Sequence, residues 1–278
     1  MKLVNHSYGK TRVRALKVFR RGRRRSIKEL EIAVMLQGEF ESSYTDADNA
    51  LVVPTDTMKN TVNALAHRLL GEESEPFGAA VAEHFLKKYR QVQQATVHIA
   101  ERRWERMTVG GKPHPHSFAE QGGGRPVAQV VATRNAVVVE SGIEDLLVLK
   151  TTQSGFAGFP KDEFTTLAET DDRLLCTKIN AMWTYAKQPA AYRRVNQKIM
   201  DAMLKVFATT YSPSVQASLY LMGGAALRAA PEISKVSLAL PNKHCLLIDL
   251  SRFGISNKNE LFVPTDEPHG QIEGTVAR

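Results

Sequence analysis

Cysteine is scarce in this chain, with two residues, Cys176 and Cys245, among 278. Two thiols cannot form the disulfide framework of a small secreted domain, and they make no Cys-x-x-Cys pair. Both sit in apolar contexts, so buried, reduced thiols in a cytosolic protein are expected. No run of 18 apolar residues occurs, so no transmembrane helix is expected. The opening "MKLVNHSYGK" lacks the apolar stretch of a signal peptide, and the closing "GTVAR" carries neither a Ser-Lys-Leu address nor a lipidation site. A cytoplasmic location is the expectation. Low-complexity segments are absent, as is the His-Glu-x-x-His motif of metallopeptidases. The glycine-rich "EQGGGRP" at 120–126 lacks the lysine–serine of a P-loop and the spacing of a dinucleotide fold, so it reads as a hairpin tip. "HPH" places His114 and His116 on one side of an extended chain, but no third ligand accompanies them in a clear pattern. Packing or a loop hydrogen bond is their expected role, and no metal is expected.

What is present is a chain with 43% hydrophobic residues, enough for a sizeable core, and a net charge of +8. A basic balance suits nucleic acid or any small anion. Its densest expression is "FRRGRRRSIKEL" at 19–30, between two apolar alternating segments. No aromatic residues are interleaved there to stack bases, so the run 20–25 reads as a solvated hairpin loop.

Period-two alternation marks strands at 13–20 and 28–40, the latter with Leu30, Ile32, Val34 and Leu36 on one face. Helical segments follow near 56–70 and 76–90. Strand character returns at 94–107, where Val97, Ile99 and Glu101 share a face, and at 126–142. The second half reads as a repeat of this order: a strand at 137–152, helices near 174–187 and 189–208, and strands at 215–222, 233–241 and 244–250. Each half is thus strand–strand–helix–helix–strand–strand, and the helix entries "PTDTMKN" and "AETDDRLL" rhyme. A duplicated antiparallel α+β unit follows, divided as 1–138 and 139–278. A sheet with helices on one face leaves its other face and its edges open, which predicts a symmetric oligomer.

Several polar groups stand at the ends of these elements. Lys10 begins an apolar strand, and His244 opens one. Arg173 enters a helix through "ETDDR", with Asp171 or Asp172 as the simplest ion-pair partner. Gln216 starts a strand. In "LVVPTDTMKNTV" at 51–62, Leu51–Val53 end a strand, and Thr55 or Asp56 caps a helix through its side-chain oxygen. The unused oxygens stand at a helix mouth that favours anions.

With "YGK" at 8–10, "PTDTMKNTV" at 54–62, "GKPHPHSF" at 111–118, "SGFAGFPKDEFTTLAETDDRLL" at 154–175, "SVQAS" at 214–218 and "LPNKH" at 240–244, the chain resembles the urate oxidase (uricase) family over nearly its full length. The resemblance implies two tandem tunnelling-fold (T-fold) units, four chains stacked into a barrel with a central tunnel, and pockets at subunit interfaces. It implies oxidation of urate by molecular oxygen, with no cofactor, to 5-hydroxyisourate and hydrogen peroxide. In its terms Phe156 stacks on the purine, Arg173 forks onto a carbonyl oxygen and ring nitrogen, and Gln216 pairs with the opposite amide edge. Backbone groups near Leu167 and Val215 complete the rim. Thr55 meets the imidazole side of urate, and Asp56 braces its loop. Asn242, His244, Lys10 and Thr55 surround the oxygen site, with Lys10 drawing a proton through the Thr55 hydroxyl and His244 extending the relay. Rival readings are another T-fold enzyme acting on a pterin-like heterocycle, a basic RNA-binding oligomer, and a decayed enzyme kept as a structural oligomer. Pterin-binding members use a glutamate anchor, against which the Arg173–Gln216 pair argues. An RNA binder would be retained on RNA in a salt-dependent way.

Overall fold

Alternating apolar side chains make Ser26–Gly38 a strand with one face turned inward: Leu30, Ile32, Val34 and Leu36 are all buried. The computed structural model that places them describes residues 1–20 and 22–278. Of the basic run 20–25, Arg21 therefore lies outside the described residues. The chain divides into two compact units, Met1–Gly142 with Gln188–Arg193, and Ile143–Lys187 with Arg194–Arg278. Both are α+β.

In the first unit the strands are β1 (Tyr8–Phe19), β2 (Ser26–Gly38), β3 (Val92–Arg102) and β6 (Arg125–Thr133), in that spatial order, followed by β7 (Val137–Lys150). The pairs β1–β2, β2–β3 and β3–β6 are antiparallel. A short helix α1 (Glu41–Thr45) precedes α2 (Thr55–Leu69) and α3 (Ser74–Lys88). Helix α2 packs over β1, and α3 over β3 and β6. Met58, Val62 and Ala66 of α2 are buried at helical spacing. Glu31, Ala33 and Met35, on the opposite face of β2, are only half-buried. The expected strand 94–107 breaks at Arg103: β4 (Trp104–Val109) pairs with β5 (Lys112–Glu120) as a separate hairpin. The glycines of "EQGGGRP" form the turn after it.

In the second unit the order is β7, β8 (Leu175–Tyr185), β9 (Ile233–Leu247) and β10 (Phe262–Ala277), with α4 (Tyr192–Thr209) and α5 (Val215–Ala229) between β8 and β9. The strand–strand–helix–helix–strand–strand order holds, but its assignment shifts. The segment expected as a helix at 174–187 is strand β8, whose Leu175, Thr177, Ile179, Ala181, Trp183 and Tyr185 are buried in strict alternation. Its Leu, Lys, Ala and Met content favours helix, and tertiary pairing with β9 overrides it. The segment expected as a strand at 215–222 is the start of helix α5. Gly223 and Gly224 weaken its helical signature, yet a Cβ on Gly223 would lie 2.6 Å from a Val276 methyl. That glycine lets α5 lie close on β10.

The strands expected at 233–241 and 244–250 are one strand, β9. The edge strand β10 gave no sequence signal, since Pro264, Pro268, Gly270 and Gly274 interrupt it. The rhyme between "PTDTMKN" and "AETDDRLL" also fails, because the first opens a helix and the second a strand. Cys176 and Cys245 are half-exposed rather than buried, on facing strands two register positions apart. Burial, and then the neighbouring Cys245 thiol, push the Cys176 thiol above its ordinary pKa.

Each unit fastens its first strand to the end of its first long helix with a lysine. Lys17 of β1 donates to the carbonyls of Ala66, His67 and Leu70 at 3.0, 3.0 and 2.7 Å. Lys150, at the end of β7, donates to the Thr210 carbonyl at 2.6 Å, just past α4. Both set an ammonium against carbonyls at a helix's negative end, where the Ala66 carbonyl also accepts the Leu70 N–H.

Candidate active site

In the first unit, the site residues rise from β1 and the start of α2. Gly9 lets β1 close on β2: a Cβ there would stand 1.9 Å from the Val34 carbonyl oxygen. Tyr8 and Lys10 pair with Leu36 and Val34, so both side chains share the face on which α2 packs. Beyond Lys10 the register slips before Val13.

"PTDT" does not do what its composition suggests. Pro54 is the N-cap of α2, and no side chain caps the helix. No strand ends at Val53 either; 46–54 is irregular. Asp56 turns along the helix to Lys59 at 2.5 Å and Asn60 at 2.8 Å, bracing the first turn rather than the loop. The Lys59 hydrogen bond and charge hold its carboxyl below the usual range, and Lys10 is near enough to add to this. Thr55 is exposed, and among the described residues its hydroxyl has no hydrogen-bond partner. An open hydroxyl, unpaired helix-start amides and a half-buried lysine thus share one locality.

In the second unit, the long connection 151–174 folds back on itself. Phe156 and Thr170 exchange backbone hydrogen bonds of 2.7 and 3.0 Å, closing a loop on which Leu167 is exposed. Arg173 N–H donates to the Ser154 carbonyl at 2.8 Å. Its guanidinium carbon stands 5.3 Å from the Phe156 ring centroid, and that ring stacks on Phe159 at 4.9 Å. Arg173 makes no ion pair among the described residues. Asp172 instead accepts from the Thr152 hydroxyl, and the Asp171 carbonyl accepts from the Tyr211 hydroxyl. The Arg173 Nε is buried without a partner, and desolvation acts against its charge. A buried cationic donor left unpaired is costly, and an anionic acceptor would satisfy it.

The same connection is sewn to the start of α5. Gly155 N–H donates to the Ser212 carbonyl at 2.9 Å, and Ser212 N–H to the Gln153 carbonyl at 3.0 Å. A Cβ on Gly155 would lie 2.3 Å from the Tyr211 hydroxyl oxygen. Lys150, 8% exposed, donates to Ser212 Oγ at 3.1 Å, and the Ser218 and Ser212 hydroxyls lie 2.9 Å apart. Ser214 caps α5 by accepting from Ala217 N–H at 3.1 Å. These ties set Val215, buried, and Gln216, exposed, in the first turn of that helix, rather than in a strand. Arg173 precedes a strand instead of entering a helix.

The family model for uricase matches residues 6–131 and 139–273. The chain belongs to the uricase family. It is 40% identical to the uricase of Dictyostelium discoideum over 282 residues, covering 99% of this chain and 97% of that one. It is 39% identical to the uricase of Cyberlindnera jadinii, with 99% and 97% covered. The crystal structure of uricase from Arthrobacter globiformis superposes with a TM-score of 0.93 at 38% identity, covering all of this chain and 96% of that one.

Within this uricase-family chain, then, Phe156 and Arg173 meet directly, and backbone bonds tie them to the turn bearing Val215 and Gln216. Asn242 and His244 lie on β9, paired with Thr177 and Gly270, and with Thr265. His244 is exposed near the end of the strand instead of opening a buried one. Among the described residues, no hydrogen bond joins either side chain to Arg173 or Gln216. The rings of His114 and His116 lie 4.6 Å apart on β5. No group of three or more metal-ligating side chains occurs among the described residues. A hollow of about 570 Å³ on the β8–β9–β10 face, lined in part by Asn180, Met182, Ser237 and Glu273, contains none of the site residues. Tyr8, Lys150, Ser212 and Ser218 were not read from the sequence as site residues. Tyr8 and Ser218 lie inside the motifs "YGK" and "SVQAS", and Lys150 is a charge ending an alternating strand.

Proposed function

We propose that this chain catalyses the oxidation of urate by molecular oxygen and water to 5-hydroxyisourate and hydrogen peroxide. Family membership supports the reaction, and one observation supports the binding mode: the unpartnered, buried Nε of Arg173 beside the face of Phe156. Urate is a planar anion at neutral pH. It calls for a flat aromatic contact, a forked cation and an amide that donates and accepts. Phe156, Arg173 and Gln216 are those groups, with backbone at Leu167 and Val215 as the rim. Lys10 takes the second urate proton through the Thr55 hydroxyl, Asp56 stiffens the first turn of α2 beneath it, and Asn242 and His244 hold oxygen and water in turn. The doubly deprotonated purine is a strong reductant and passes electrons to oxygen without a flavin or metal.

The working form in this reading is a cytoplasmic homotetramer of two T-fold units per chain, 1–138 and 139–278, with pockets at subunit interfaces. The half-buried outer face of β2 and the long edge strands β1 and β10 support an assembly that covers them. Sedimentation should give a mass of four chains; a stable, active monomer would contradict it. In a direct assay, protein stripped with a strong chelator is expected to consume urate and release peroxide in equal amounts at an undiminished rate. Activity that disappears on stripping and returns with one metal would overturn the cofactor-free reading. Absence of urate loss under every condition would overturn the reaction.

A further inference from the structure

Lys10 stands on a strand held firmly by its neighbour, whereas Thr55 follows an irregular segment. Between Asp46 and Pro54 that segment forms no strand or helix. Gln91 holds it once, donating to the Leu51 carbonyl at 2.7 Å. Tyr8 holds it again, two residues from Thr55, where its hydroxyl accepts the Val53 N–H at 2.7 Å. Val53 is 1% exposed, so this amide is a buried donor that must find an acceptor. Pro54, next along, has no N–H to share the task.

Tyr8 is well suited to hold a fixed position. Its ring meets the fully buried Phe40 edge-on, with centroids 4.8 Å apart at 89°. Its backbone is part of the tight Gly9 approach between β1 and β2. Lys10 lies two residues on, facing the same way. Burial pushes the Tyr8 hydroxyl above its ordinary pKa, so it stays neutral under assay conditions.

We propose that Tyr8 is a positioning residue for the proton relay, fastening the strand that bears Lys10 to the segment that bears Thr55. The inference rests on the reading of Lys10 and Thr55 as that relay. Proton transfer requires the two groups within hydrogen-bond reach, and small misplacements far from the chemistry are costly. Tyr8 touches neither substrate nor proton in this account; it sets the distance over which the proton moves.

The test is Tyr8→Phe, which removes one hydroxyl and keeps the ring against Phe40. Turnover at saturating urate is expected to fall about 10-fold, between the worth of one hydrogen bond and the roughly 10²-fold cost of a 1 Å misplacement. Affinity for an 8-substituted xanthine that cannot be oxidised should stay within about twofold, since the stacking, fork and amide contacts of Phe156, Arg173 and Gln216 lie in the second unit and Tyr8→Phe leaves the Thr55 side chain in place. Lys10→Met is assayed beside it. If Lys10→Met loses turnover while Tyr8→Phe keeps the parent value well below its melting temperature, Tyr8 serves stability alone and the proposal is overturned. A Tyr8→Phe protein that loses turnover and analogue affinity together contradicts it too. If Lys10→Met itself turns over normally, the relay reading fails and the role of Tyr8 falls with it.

Discussion

Lys10→Met is expected to lower turnover by roughly 10²–10⁴-fold, the usual contribution of a positioned general base. Affinity for a non-oxidisable xanthine should change little. The proton leaves only as the reaction proceeds, so the loss belongs to the transition state and not to the bound ground state. The geometry favours this outcome. Lys10 is half-buried and near enough to the first turn of α2 to act on Asp56, and the Thr55 hydroxyl next to Asp56 in the chain is uncommitted. A Lys10→Met protein with near-normal turnover would remove Lys10 from the mechanism.

Arg173→Lys should act on the opposite quantity. The substitution keeps the charge and loses the fork, and with it the Nε that is buried without a partner. A hydrogen bond to a charged group contributes roughly 1.5–3 kcal/mol, so affinity for urate and for the inert xanthine should fall about 10- to 100-fold. Turnover at saturating urate should change far less, since the fork holds ground state and transition state alike. Titration of the inert xanthine into both proteins decides it. Equal affinities would leave Arg173 as a structural cation above Phe156.

The contrast between these two variants follows the way the site was legible in the sequence. Lys10, Thr55, Arg173 and Gln216 were singled out because short motifs surround them. The local structures assigned to three of those motifs were wrong. "PTDT" suggested a side-chain cap, and the cap is Pro54. "DDRLL" suggested a helix entry, and it leads into β8. "SVQAS" suggested a strand, and Ser214 caps a helix there. Propensity misled where sheet pairing decided, as in β8, or where glycine served close packing, as at Gly223. The strands of the first unit were clear because Ile32, Val34, Val97 and Ile99 alternate without interruption. The ties that hold the site had little chance of being read. Tyr8 is met by a backbone amide and Lys150 largely by a carbonyl, and every residue carries those groups.

Lys17 and Lys150 show how alike the two units are built. Each stands toward the end of its unit's first strand, with its ammonium at the end of that unit's first long helix. The polar residues assigned to chemistry and recognition differ between the halves, while this lysine recurs in both. The two units thus meet one physical demand in one way: a strand-end ammonium set against carbonyls at a helix's negative end. In the reading proposed above the site residues are divided instead, Lys10 with Thr55 in one unit and Phe156, Arg173 and Gln216 in the other. Removing either lysine should therefore loosen its own unit's helix from its strand without touching a group assigned to urate. The lysine at the helix end is what the two units hold in common.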